Sequence, residues 1–277
     1  MTGRRRILAR GMAAVALALV AACAPRPTTI APVTGGARVE RYLSQLSRRE
    51  QRAAMVEGAA TVWPRAFALC DSCPPHRLPA LQARIVLAWP DAFRLRVGSA
   101  FGTALDLSLA GDSITAYVPA QRWGVALDAV SDSLGLEQPG RLAARLLSAG
   151  WRPPPLAWAG GTWEGGLLVL HWSEAADSVA LAVDEAGTPV WARLWREAQR
   201  GVVVHYERWA SVDGVAWPAT LQVRALGGAF DLTCRLEGVT FPARPDRSRL
   251  VVRIPGDAER LGLGQLHGLL ERLGAPR

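Results

Sequence analysis

The sequence predicts a mainly β protein with helices (α+β): an unclosed antiparallel β-barrel of about eleven strands, with helices covering its concave mouth. Three observations support this fold class. Many segments alternate apolar and polar residues, which is typical of strands that bury one face. Turn residues separate them at short intervals without helices between, as in an antiparallel meander. Two amphipathic helical segments accompany a sheet wide enough to curl, and its apolar face needs such cover.

The first helix is predicted over residues 37–56, where apolar side chains recur near one helical face. These apolar residues are Val39, Tyr42, Leu43, Leu46 and Ala53. The charged residues of the segment, among them Arg49, are expected to lie largely away from that face. A second helix is predicted within 128–150, because Leu142, Leu146 and Ala149 follow a Pro-Gly pair at helical spacing.

The strands form two series, one on each side of the second helix. In the first, apolar residues alternate with other residues from Leu81 to Leu127, and Pro, Gly and Asp mark the turns. The second series is predicted at Gly165–Trp172, Ser178–Asp184, Pro189–Arg196, Gly201–Trp209, Pro218–Ala225, Ala229–Val239 and Arg249–Ile254. A C-terminal amphipathic helix or tail is expected over 259–277.

The first 22 residues have the pattern of a bacterial lipoprotein signal peptide. A positive region with Arg4 and Arg10 precedes the apolar stretch Met12–Val20, which is shorter than the ~20 residues that span a bilayer. Val20-Ala21-Ala22-Cys23 resembles a lipobox, so we expect Cys23 to be lipidated. The alternative is an ordinary signal peptide with an incidental cysteine. Two or more acyl chains anchor a protein stably, so the membrane is an expected partner.

The residues after Cys23 predict where the protein is held. In well-studied sorting systems an Asp after the lipidated cysteine retains a lipoprotein in the inner membrane, so Ala24 implies the outer membrane, facing the periplasm. Residues 23–36 are rich in Pro, Thr and Gly and predict a flexible tether. The barrel domain is then expected over 37–258.

The charge does not favour nucleic acid as a partner. The 277 residues carry a net charge of +8, and all 32 basic residues are arginine. Removing the four arginines of the leader, which no acidic residue balances, leaves +4. The sequence has no basic run and no basic stripe with interleaved aromatic residues, so the pattern of a nucleic-acid binder is missing.

Four cysteines leave several possibilities open. Cys70 and Cys73 form a C-x-x-C, for which a local disulfide is favoured in an oxidising periplasm. A thioredoxin-like redox pair is disfavoured by the two prolines that follow, since a helix is needed there. A zinc site that recruits His76 lacks a second ligand pair, so we expect no metal. Cys234 lies in a strand pattern and is expected to be a buried free thiol.

Three motifs, in order along the chain, resemble the LolA/LolB-like superfamily of periplasmic lipoprotein carriers. The motifs are Pro90-Asp91-Ala92-Phe93-Arg94-Leu95-Arg96 with Phe101-Gly102, then Tyr117-Val118-Pro119, then Leu250–Ala258 with Ile254-Pro255-Gly256. The resemblance covers about residues 37–258. It implies an unclosed barrel with a helical lid and an apolar cavity for acyl chains, and the expected lipid anchor makes the lipid-anchored, LolB-like members the better match.

The resemblance also implies site residues. Phe101 is the candidate for an apolar side chain that protrudes from a loop, with packing into the core as the alternative. Arg94 or Arg96 is a candidate for the carriers' functional arginine, with an ordinary surface arginine as the alternative. We expect the lipid-binding cavity to be lined by Ile85, Leu87, Trp89, Phe93, Leu95, Leu105, Leu107, Trp123, Leu146, Leu168, Leu170 and Trp172. The 11 tryptophans suit either an apolar cavity or a filled barrel.

The sequence therefore predicts a lipid-anchored protein that binds acyl chains of lipoproteins or lipids and helps localise or insert lipoproteins. We expect a monomer without a cofactor, with a soluble periplasmic carrier as a possible partner. No catalytic motif is present, so we expect no enzyme. One alternative is an envelope lipoprotein that uses the same barrel as a protein-binding scaffold. Another is a sensor or redox module that uses Cys70 and Cys73.

Overall fold

The computed structural model describes residues 36–67, 79–128, 138–153, 160–197, 200–228, 230–262 and 264–265. Several predictions lie outside these residues and remain predictions: the signal peptide 1–22, lipidation of Cys23, nearly all of the tether 23–36, the Cys70–Cys73 pair and most of the tail 259–277.

Two helices and fourteen strands make up the described part of the chain. Helix α1 spans Gly36–Arg52 and helix α2 spans Pro139–Ser148. The strands of the first half are β1 Met55–Phe67, β2 Leu81–Ala88, β3 Ala92–Ser99, β4 Gly102–Ala110, β5 Ser113–Val118 and β6 Trp123–Asp128. The strands of the second half are β7 Gly160–Glu164, β8 Leu167–Glu174, β9 Asp177–Val183, β10 Pro189–Glu197, β11 Arg200–Val212, β12 Val215–Ala225, β13 Phe230–Thr240 and β14 Glu259–Leu261.

All fourteen strands belong to a single open sheet. Their order is β14-β6-β5-β4-β3-β2-β1-β13-β12-β11-β10-β9-β8-β7, so the described part of the sheet ends at β14 and β7 without closing. Every neighbouring pair is antiparallel except β14 and β6, which are parallel. The predicted fold class is confirmed, with three strands more than the eleven expected.

The sheet curls around α2. This helix contacts β3, β4, β5 and also β12. In a flat sheet the six steps from β5 to β12 would span roughly 29 Å at ~4.8 Å per strand. A helix of ten residues is only about 15 Å long, so the strands must bend toward it. α2 therefore lies in the hollow of the sheet, as the predicted helical cover requires.

The predicted first helix is too long, and a strand beside it was missed. α1 ends at Arg52, and the following residues form β1, which pairs with β2 on one side and β13 on the other. Val56, Ala60 and Val62 of β1 face the hydrophobic core. Gly58 and Pro64 interrupt the apolar alternation, because neither supplies an apolar side chain of strand type. The strand was therefore hidden in the sequence.

The predicted strand Arg249–Ile254 is wrong. Arg247–Leu250 form a 3₁₀ turn and 251–255 have no regular structure. The segment crosses the outer face of the sheet: Leu250 packs on Ala88 and Ala92, and its carbonyl accepts a hydrogen bond of 2.6 Å from the Ser108 hydroxyl. Side chains of the sheet donate hydrogen bonds to backbone carbonyls of this segment, so these carbonyls do not need a neighbouring strand as a partner. The chain then joins the sheet edge as β14, which ends three residues beyond the predicted barrel boundary at 258.

Candidate functional site

The inward side chains of β2–β6 form rows that run across five strands; we call this surface the apolar wall. The pairing registers place directly opposed residues on one face. The first row is Ile85, Leu95, Leu107, Ala116 and Val125. The second row is Leu87, Phe93, Leu109, Ile114 and Leu127. Shorter rows add Ala83, Val97 and Leu105, and then Val118 and Trp123.

The apolar wall is sealed at one end and partly open at the other. Its residues on β2 are buried within the hydrophobic core, as is Phe93 on β3. From β4 onward most of its side chains are only half-buried, including Leu105, Leu107 and Trp123. α2 contacts β3, β4 and β5 and so covers part of this wall. The open part presents aliphatic and aromatic side chains without an intervening charge.

The structure brings together most of the residues predicted to line a cavity. Seven of them lie on the apolar wall: Ile85, Leu87, Phe93, Leu95, Leu105, Leu107 and, at its open end, Trp123. Trp89, which follows β2, and Leu146 on α2 pack against the same core. Leu168, Leu170 and Trp172 on β8 are different. They are 0, 1 and 4 % exposed, so they form tightly packed core and offer no open surface in this state.

Arg94 and Arg96 lie on the opposite, outer face of the sheet. Arg94 donates two hydrogen bonds to Asp106, at 2.7 and 2.6 Å, and Arg96 donates two more at 3.2 and 3.1 Å. A third Arg94 bond, of 2.7 Å, reaches the carbonyl of Arg249 in the segment that crosses this face. Burial alone would raise the pKa of Asp106, but the bonds and charges of both arginines outweigh it and lower that pKa. These contacts give both arginines a structural role.

Helix α2 is fastened to the last residue of β8 through one carboxylate. Arg145 donates to both oxygens of Glu174, at 2.8 and 2.7 Å, and Arg141 pairs with the same group at 2.9 Å. Burial by itself would raise the pKa of Glu174, but the hydrogen bonds and charges of the arginines lower it overall. A cavity of about 180 Å³ lies beside these groups. The ion pairs therefore hold the helix that covers the wall.

Helix α1 contacts both the sheet and the segment after α2. Its N-terminal half reaches the turns between strands, where Arg38 and Arg41 donate to the carbonyls of Gly166 and Glu185. Farther along, the Tyr42 hydroxyl donates to the carbonyl of Trp151. These bonds fix α1 to the turns that follow β7 and β9 and to the segment that follows α2, and the helix also contacts β12.

Arg49 is the unexpected member of α1. Its residue is 2 % exposed, on the same face as Val39, Tyr42 and Leu46, so the prediction that it lies away from that face is wrong. Burial lowers its pKa, yet a guanidinium stays charged in proteins. The signal was present in the sequence, because position 49 continues the stripe 39, 42, 46 by three residues. The prediction for Arg49 followed its charge, which favours solvent, and not its spacing along the helix, which favours the buried face.

Phe101 protrudes from the tip of the β3–β4 hairpin. It is 101 % exposed, as far from core packing as a side chain can be. The tip is held by the Ser99 hydroxyl, which donates to the Gly102 carbonyl at 3.0 Å and accepts from the Phe101 backbone N–H at 3.3 Å. Gly102 has φ = +114°, a conformation that suits glycine. The loop therefore presents an aromatic ring to the surroundings of the protein, without packing it against the core.

Other chemistry is sparse in the described residues. No group of three or more His, Cys, Asp or Glu side chains among them is placed to hold a metal ion. Cys234 is buried in β13 as a free thiol, and burial raises its pKa to about 12. Burial also lowers the pKa of His171 and of His205. Within the same residues, no helix has the length and hydropathy to cross a bilayer.

Similarity between this chain and known proteins is found by comparing structures and not by comparing sequences. No family model matches the chain, and no curated protein sequence is similar to it. A LolA superfamily protein from Nitrosomonas europaea superposes with a TM-score of 0.52 at 12% identity, covering 80% of this chain and 98% of that one. The chain has the LolA-like fold. A DUF1329 family protein from Desulfovibrio piger shares this LolA-like fold, with a TM-score of 0.51, 9% identity, and coverage of 77% and 97%.

The LolA-like fold accounts for the arrangement of the site. In this chain the sheet curls around α2, and the apolar wall lies on its hollow side. The identities are too low to carry residue roles across, so the roles of individual side chains rest on the contacts above. The resemblance predicted from the sequence motifs is confirmed at the level of the fold.

Proposed function

We propose that the apolar wall binds the acyl chains of a lipoprotein or lipid, without catalysis. We further propose that the protein, anchored through Cys23 to the outer membrane and facing the periplasm, helps to localise or insert lipoproteins there. The observation that carries the proposal is the half-buried, uncharged part of the wall on β4–β6. A soluble periplasmic carrier is the proposed donor of the acyl chains.

The physics of the wall favours a hydrocarbon guest. Exposed apolar surface in a hollow gains about 25 cal/mol for each Å² removed from water, so a chain laid along one row binds without any hydrogen bond. The rows run across the strands, and the open part of the wall on the three strands β4–β6 is roughly 10 Å wide at ~4.8 Å spacing. This part is a continuous apolar track because opposed residues on the three strands are apolar in the same register.

The proposed role at the membrane rests on Phe101. An aromatic ring that is fully exposed has no folding role to lose, and its burial in lipid removes a large apolar surface from water. We propose that this loop touches the bilayer when cargo is released. We expect the protein to act as a monomer.

The decisive test is lipid uptake by the soluble Cys23→Ala protein and by two matched variants. We expect the parent protein to bind a fluorescent acyl probe. Leu107→Asn places an unpartnered amide in the middle of the wall, which costs about 1–3 kcal/mol of binding, or roughly five- to 150-fold in affinity. Ser113→Asn changes an exposed residue on the opposite face of the neighbouring strand and should leave binding unchanged.

Two results would count against the acyl-binding role. If the parent protein takes up no probe and co-purifies with no lipid, the wall does not serve a hydrocarbon guest. A pull-down that recovers a protein partner but no lipid would then support the scaffold function instead. Equal loss of binding in Leu107→Asn and Ser113→Asn would show that the probe binds elsewhere.

A further inference from the structure

Two residues whose buried hydrogen-bond donors lack partners line one small cavity in the hollow. Nε and Nη1 of Arg49 have no acceptor in the described part of the chain, and Nη2 has only the Ala149 carbonyl at 3.5 Å. The indole N–H of Trp217, on β12, is likewise buried without an acceptor among the described residues. Both residues line the same cavity. A buried donor that lacks an acceptor is costly, so the pair indicates a missing acceptor.

The charge around the cavity is positive. Glu50 also lines it, but its carboxylate is held by Arg152. Tyr42 and Tyr206 lie near Arg49 and stay neutral, because burial raises the pKa of each. Counting Arg49 and Arg152 against Glu50 leaves one positive charge in excess among these described residues, in surroundings that screen it poorly. An anionic oxygen would supply both the absent acceptor and the absent charge.

The cavity adjoins the buried β2 end of the apolar wall through Trp89. Its remaining lining includes Leu46, Ala53 and the Trp89 ring, and Trp89 directly follows Leu87 and Ala88 at the end of the second row. The enclosed volume is about 10 Å³, which is room for one oxygen-sized group. On its other side, Trp217 also borders an apolar groove of about 230 Å³ between β11, β12 and β13. The cavity is thus a polar point between two apolar surfaces.

We infer that this cavity receives a carboxylate oxygen at the polar end of an acyl ligand, with Arg49 and Trp217 as its hydrogen-bond donors. The inference rests on the proposed acyl-binding function and adds to it a head-group preference. The ligand class is a fatty acid or another acyl compound that ends in a carboxylate. Ser148, which also lines the cavity, donates its hydroxyl proton to the Ala144 carbonyl at 2.7 Å and so leaves the donors to the other two residues.

The first experiment needs no variant. Decanoate and 1-decanol are titrated into the soluble Cys23→Ala protein by calorimetry at pH 7.5. A bond from a charged donor predicts that decanoate binds about tenfold to a hundredfold more tightly than the alcohol. Acetate at the same concentration tests whether the cavity simply holds a free anion; it should not compete with decanoate at equal concentration, because it lacks the chain.

Variants then assign the preference to the two donors. Arg49→Met should reduce the preference to less than about threefold, while Arg49→Lys should keep most of it. Trp217→Phe keeps a ring and removes one neutral donor, so it should weaken decanoate by about two- to tenfold and leave 1-decanol unchanged. Arg52→Met is the control, since Arg52 is exposed on the same helix. Should Arg49→Met fail to fold, Trp217→Phe and the wild-type titrations still decide.

The outcomes separate this inference from the proposed function. Equal binding of the acid and the alcohol overturns the head-group subsite and leaves acyl binding intact. A preference that survives both Arg49→Met and Trp217→Phe places the carboxylate elsewhere and also overturns it. Equal competition by acetate shows a free-anion site instead. Failure of both amphiphiles to bind overturns the proposed function, and this inference with it.

Discussion

Replacing Glu174 by glutamine tests how firmly α2 is held over the apolar wall. The carboxylate accepts three contacts of 2.7–2.9 Å from Arg145 and Arg141. Its side chain is 27% exposed and that of Arg145 is 11% exposed, so water screens the pair only in part. Hydrogen bonds to charged groups contribute about 1.5–3 kcal/mol, and the exposed contact with Arg141 adds little. We expect Glu174→Gln to lower the free energy of unfolding by about 2 kcal/mol.

The effect of this substitution should depend on pH. The pKa of folded Glu174 lies below its ordinary value of 4.5, so the carboxylate stabilises the fold at any pH above that value. As the pH falls through the lowered pKa, the wild-type carboxyl takes up its proton and the stabilisation is lost. The stability curves of the wild type and of Glu174→Gln should therefore be parallel near neutrality and converge as the pH falls below 4.5 and through the lowered pKa.

Urea unfolding from pH 7.5 to pH 3 measures both expectations, and a double-mutant cycle with Arg145→Met isolates the pair. Glu185→Gln is the matched control, because its side chain is 89% exposed and pairs with Arg38 at 3.4 Å; it should change stability by less than about 0.5 kcal/mol. Since α2 covers part of the wall, faster uptake of the acyl probe should accompany Glu174→Gln. An effect equal to the control, or curves that do not converge, would refute the reasoning.

Three further predictions concern the core and the outer face. Asp106→Asn leaves Arg94 without its carboxylate and should cost about 2–3 kcal/mol in urea unfolding, with a gap to wild type that closes as the pH falls through the lowered pKa of Asp106. Tyr206→Phe removes the acceptor of the 2.8 Å bond from the Trp151 indole; we expect a loss of about 1–2 kcal/mol in thermal unfolding, and no loss would show that water replaces it. Cys234, in a form whose other cysteines are replaced by serine, should resist iodoacetamide at pH 8 until the protein unfolds; rapid native alkylation would contradict its burial and its raised pKa.

Much of the apolar wall could be predicted from local alternation. Leu105, Leu107 and Leu109 recur at every second position, and a shift by one residue would move all three to the outer face. The same reasoning found Leu95 and Phe93, and the structure places these residues on one surface. The order of strands and helices predicted an unclosed antiparallel sheet, because short connections favour a meander. The LolA-like fold was implied by the resemblance of three sequence motifs to that superfamily.

The sequence misled where a residue's role depends on a distant partner. β1 carries Gly58 and Pro64, and only pairing with β2 and β13 makes it a strand. The segment around Leu250 resembles a strand in sequence. Its carbonyls, however, accept hydrogen bonds from the side chains of Ser108 and Arg94 and not from a neighbouring strand. In both cases at least one partner lies more than a hundred residues away along the chain. Local periodicity in the sequence gives no information about such a partner.

The amino-acid sequence by itself determined the alternating strands, the two helices that cover the sheet, and hence the face on which apolar side chains gather. Only the tertiary structure decided which part of that face stays open, and that the core-facing side chains of β8 are buried. It also decided that Arg49 lies in the core with Trp217 beside it. The physical reason is that alternation fixes the direction of a side chain relative to its own strand. Exposure and hydrogen-bond partners depend on what the curled sheet brings opposite that side chain, and curling is a property of all fourteen strands together.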